Sequence, residues 1–131
     1  MIESMLRSEW VVFVGKLMVT SFFWVSAIEF SLSFDKAVNV FSRLRFPAPK
    51  FSAVLMISFQ LLASALIVFN PLRLGVVGAI MLIFFTFLTI PMGHAFWREK
   101  EGKRRNDEWH VVLEHISLIG GLLFAAVLSL S

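Results

Sequence analysis

The stretch WVVFVGKLMVTSFFWVSAIEF, residues 10–30, carries only two charged side chains, Lys16 and Glu29. A helix rises 1.5 Å per residue, so about 20 apolar residues cross ~30 Å of hydrocarbon. Alone, such a run could be a buried core helix. Its repetition decides the reading, because three further apolar stretches follow at Phe51–Phe69, Leu74–Ile90 and Val111–Leu130. Hydrophobic residues make up 58% of the 131-residue chain and Phe alone occurs 15 times, above the ~45–50% apolar share of an ordinary globular domain. A soluble domain of this length cannot hide so much apolar surface in one core. The sequence therefore predicts an all-α protein. It reads as one membrane domain over residues 1–131, a four-transmembrane-helix bundle with spans near 10–30, 51–69, 74–90 and 111–130.

The connections are patterned too. Ala37, Val40, Phe41 and Leu44 fall at i, i+3, i+4 and i+7, while Lys36, Asn39, Arg43 and Arg45 project elsewhere. This predicts a short interfacial amphipathic helix between spans 1 and 2, capped by Ser33 or Asp35 and lying flat among the head groups. Pro47 and Pro49 stop it, and Pro49 suits the first turn of the next helix. The link Asn70-Pro71-Leu72-Arg73 is short, so spans 2 and 3 are antiparallel neighbours. Gly75 and Gly78 permit close helix approach. Ser117, Gly121 and Ala125, spaced by four, form a small-residue stripe suited to packing within the bundle or, alternatively, to a seam with a second copy. Trp10, Trp97 and Trp109 mark interfaces.

Charge outside the spans is uneven. The connections 31–50 and 94–110 carry nine Lys and Arg, against Arg7 and Arg73 in the remaining tail and turn. The positive-inside rule then places both long connections in the cytoplasm and both termini outside, as expected of a multi-pass protein of a bacterial-type inner membrane. The first span is too long for a signal-peptide core and reads as a retained helix. The net charge of +3 fits topology and anionic lipid better than nucleic acid. The chain has no Cys and no Tyr, which excludes thiol chemistry, thiolate metal sites and tyrosyl radicals within it.

Ionisable groups that could act are Glu29, His94, His110, Glu114 and His115, all near one membrane face. With Trp97 and flanking Phe residues they could bind a quinone head group, a His donor and a carboxylate exchanging protons with the ring oxygens. His94 and His115 on facing helices could also serve as axial haem ligands. The order His-x-x-x-Glu-His matches no zinc-peptidase box, so no metal is expected. The third reading makes these groups interfacial, because helix ends tolerate charge better than helix centres. Gln60, at the centre of span 2, and Lys16, free to snorkel, read as structural polar residues.

Taken in order, several segments resemble the DoxX-like family of small four-helix membrane proteins. They are Phe22–Ala27 in span 1, Phe46–Pro49 before span 2, Gln60–Ala65, His94–Trp97 and Ile116–Leu123. The family usually has Ser-Gly in span 1 followed by a lysine, and a glutamate in span 2. Here Ser26-Ala27, Phe30 and Gln60 stand in those places. Some relatives are membrane subunits of thiosulfate:quinone oxidoreductase or belong to oxidative-stress and terminal-oxidase systems. The resemblance implies a small accessory or anchoring subunit of a larger quinone-linked membrane redox complex. Its partners would be lipids and other membrane subunits; it would hold no intrinsic cofactor, with quinone the molecule it meets. The alternatives are a quinone-binding oxidoreductase subunit with its own site near the cytoplasmic face, and a lipid or small-molecule carrier. The sequence leaves open whether the chain is an enzyme.

Overall fold

A computed structural model describes residues 1–93 and 102–130, and every regular element among them is helical. A short helix α1 (Ile2–Leu6) occupies the polar N-terminal tail and leads into α2 (Glu9–Leu32). Ser8 caps α2, its hydroxyl accepting the Val11 N–H at 3.2 Å. Then come α3 (Phe34–Arg43), α4 (Pro49–Phe69), a 3-10 turn at Pro71–Arg73, α5 (Gly75–Gly93) and α6 (Lys103–Ser129).

Among the described residues three helices are long and apolar enough to cross a membrane: α2, α4, and α6 from Arg105 onward. In α5 the apolar run Gly75–Ile90 is shorter. Only 17% of the most apolar window of α2 and 22% of that of α6 is buried inside the protein. Much of the rest is exposed, and such an apolar surface is stable only against lipid or a partner. The fold is thus that of an all-α, multi-pass membrane protein.

Helix α4 is central, packed along α2 on one side and α5 on the other; α6 lies along α5 and meets α2 only sparsely. The core joins Phe23, Ala63, Ile67, Ala79, Leu82 and Leu122. A smaller cluster of Ala37, Phe41 and Ala53 seats α3 on the start of α4. Helices α4 and α5 come close because Gly78 has no side chain. A Cβ there would stand 2.5 Å from the Ala63 carbonyl oxygen and 2.9 Å from Leu66 Cβ.

The α4–α5 turn is tied to the far end of the chain. Asn70 ends α4 in the left-handed conformation (φ 46°, ψ 49°), which Asn tolerates better than most residues. Its Oδ1 accepts the Gly75 N–H at 2.9 Å, and its Nδ2 donates to the Ser129 carbonyl at 3.2 Å. A Cβ at Gly75 would collide with the Ser129 hydroxyl.

Two boundaries differ from expectation. Helix α6 starts at Lys103, eight residues before the predicted span, because backbone hydrogen bonding does not stop where hydrocarbon does and Lys, Arg and Glu are good helix formers. Helix α3 ends at Arg43, ahead of Pro47 and Pro49. A Schellman turn stops it: Arg45 sits at φ 60°, its N–H donates to the Ser42 carbonyl, and the Phe46 N–H donates to the Phe41 carbonyl at 3.0 Å. The Phe41 and Phe46 rings meet at 5.1 Å and cover that turn. Ser33 does occupy the cap position of α3, yet its side chain makes no capping bond.

Candidate functional site

Apart from Ser129 at the end of α6, the buried polar groups among the described residues come from the middle turns of the helices. Thr20, Gln60, Ser64, Thr86 and His115 are buried. Thr20 donates to the Lys16 carbonyl at 2.7 Å and accepts the Trp24 indole N–H at 3.1 Å. Thr86 donates to the Leu82 carbonyl at 2.7 Å. These hydroxyls satisfy themselves on their own helices, as Ser and Thr do where no water reaches. Gln60 and Ser64, one turn apart on α4, differ. Neither end of the Gln60 amide nor the Ser64 hydroxyl has a hydrogen-bond partner. Lys16 is half-buried.

His115 is the buried member of the ionisable set. Its Nδ1 lies 2.8 Å from the Val111 carbonyl oxygen, so Nδ1–H donates to that carbonyl. Its ring stands edge-on to Phe22 of α2, with centroids 6.0 Å apart. Glu114, one position earlier and rotated by about 100°, is exposed, as is Glu29 near the end of α2. His110 is exposed, with Nδ1 2.7 Å from the Asn106 carbonyl. His94 and Trp97 lie outside the described residues. Within those residues, then, His115 turns into the bundle while Glu29 and Glu114 point away, and no group of three or more His, Asp or Glu could hold a metal ion.

The stripe on α6 divides along its length. Ser117 is exposed and bonded to its own Leu113 carbonyl, a Cβ at Gly121 would touch Val19 of α2, and Ala125 enters the core.

Sequence reasoning missed a cleft of about 440 Å³ between α3, α4 and α5, walled in part by Phe41, Leu55, Phe59, Phe84 and Leu88. Its sequence signal is the concentration of Phe on two consecutive spans beside an amphipathic helix.

Against known proteins, the family model described as DoxX matches residues 11–95. The match runs from α2 through α5 and stops short of α6, so the resembling run Ile116–Leu123 falls outside it. No curated protein and no solved structure matches the chain.

Proposed function

Because the chain belongs to the DoxX family, we propose that it is a small integral subunit that anchors or completes a larger quinone-linked redox assembly of the inner membrane. In this reading residues 1–131 form one four-span domain. Helix α5, 19 residues and thus ~28 Å long, crosses antiparallel to α4, and α3 lies on the cytoplasmic surface with residues 94–110. Both termini are then outside. The burial of Ala37 and Phe41 against α4, with Lys36 and Arg43 exposed, supports a surface position for α3.

One observation carries the accessory role. Apart from His115, the buried polar groups among the described residues are neutral, and the carboxylates of the candidate set, Glu29 and Glu114, are exposed. A self-contained catalyst would gather its proton-transfer groups around a shared cavity. Outward carboxylates suit a partner subunit that completes the site, with His94, Trp97 and His115 as this chain's further contribution to a quinone ring.

The test is copurification. A tagged chain extracted from native membranes in mild detergent should bring a redox subunit with it. Glu29→Gln with Glu114→Gln should lower that recovery by about fivefold, the loss of one to two charge-assisted hydrogen bonds net of desolvation, at unchanged protein level. A lone monomer from native membranes would overturn the reading.

A further inference from the structure

The cleft between α3, α4 and α5 is an external slot, open on the side where Phe84 is 61% exposed. From Ser52 to Phe59 it follows α4 for about 10 Å, two helical turns. Phe59 and Phe85, 6.0 Å apart, form a joined aromatic wall. The polar side chains on its lining are Ser52 and Thr89, both at the α3 end. At that end Lys36, Arg43, Arg45 and Lys50 are exposed, and Leu44, Phe46 and Ser52, which flank these cations in sequence, line the slot. No Asp or Glu occurs between Asp35 and Glu99, so no neighbouring carboxylate in that segment neutralises this rim.

An apolar slot with a cationic rim at one end is complementary to an amphiphile with one anionic head. The geometry points to a bound anionic phospholipid, one acyl chain in the slot and its phosphate at Arg43, Arg45 and Lys50. Zwitterionic lipid offers the same chain but carries a cation that the rim repels. A quinone fills the slot but leaves the rim without a counter-charge. The inference rests on the surface placement of α3 proposed above; it does not depend on any partner subunit.

Native mass spectrometry of the full chain in mild detergent tests it, with phosphatidylglycerol and phosphatidylcholine of identical chains added in equal amounts. One phosphatidylglycerol should be retained in preference to phosphatidylcholine by about fivefold or more. The triple variant Arg43→Gln, Arg45→Gln, Lys50→Gln changes only exposed side chains and should bring that preference close to parity. Leu55→Trp, which fills the slot, should reduce retention of both lipids. Equal retention by the unaltered chain would overturn the proposal. So would a preference that survives the triple variant, or displacement of the lipid by a short-chain quinone. Loss of copurifying subunits with the lipid preference intact would sink the accessory role alone, and the converse result would sink the lipid site alone.

Discussion

The Asn70 amide donates to the Ser129 carbonyl across 59 positions of sequence, while its oxygen holds the Gly75 N–H. One side chain therefore closes the end of α4, the start of α5 and the end of α6 together. Asn70→Ala removes both bonds and puts a Cβ-bearing residue without a local polar partner into the left-handed conformation. It should destabilise the protein by about 2–4 kcal/mol. Asn70→Gly relieves the backbone and loses only the bonds, about 1–2 kcal/mol. Unfolding of the detergent-solubilised protein separates the two. Equal effects would show that the hydrogen bonds alone set the energy.

Gly78 sets the α4–α5 distance. Gly78→Ala drives a methyl group toward the Ala63 carbonyl and should cost about 1–3 kcal/mol by pushing the helices apart. A methyl group added at Gly15 or Gly120 would meet nothing within 4 Å, so Ala there should be neutral or stabilising by up to about 1 kcal/mol. Melting temperatures of the three variants give the ranking.

Gln60 is the buried group with most to gain from removal. Gln60→Leu discards two unsatisfied polar atoms and no hydrogen bond, so stability should hold or rise by about 1 kcal/mol. Gln60→Glu places a carboxylate where, among the described residues, no Lys or Arg is buried, and should destabilise by about 3–5 kcal/mol at neutral pH. Denaturant titration in detergent measures both. A marked loss on Gln60→Leu would reveal a bound water or partner at the amide.

The absence of cysteine makes topology directly measurable. Single replacements Ser42→Cys and Asn106→Cys should react with a membrane-impermeant maleimide from the cytoplasmic side. Ser4→Cys and Leu72→Cys should react from the opposite side. All four positions are exposed. Should α5 fail to cross, Leu72→Cys and Asn106→Cys would label from the same side.

The three long apolar helices were legible because a membrane demands a run of apolar residues long enough to replace every water contact, and few other constraints leave so plain a mark. Helix α3 was legible from the period of Ala37, Val40, Phe41 and Leu44. Its end was not, because Arg45 takes the left-handed position where glycine is the usual signal. The charged start of α6 was hidden for a different reason: polarity says where lipid ends, not where a helix ends. The candidate site was the least legible part. Glu114 and His115 are neighbours in sequence, yet one faces out and the other in. In a membrane both faces of a span are apolar, so periodicity does not show which one the bundle covers. Asn70 left no sequence signal beyond its place before Pro71, since its partner lies at the other end of the chain.

The thin seam between α2 and α6 leaves the last helix joined to the others chiefly through α5. By residue 93 the chain has made every helix that packs against α4's two flanks, while α6 docks chiefly on α5 and Asn70. A nascent polypeptide thus makes α2, α4 and α5 before it makes α6. The final helix then finds most of its contacts along α5, with a few on α2 at Val19 and Phe22.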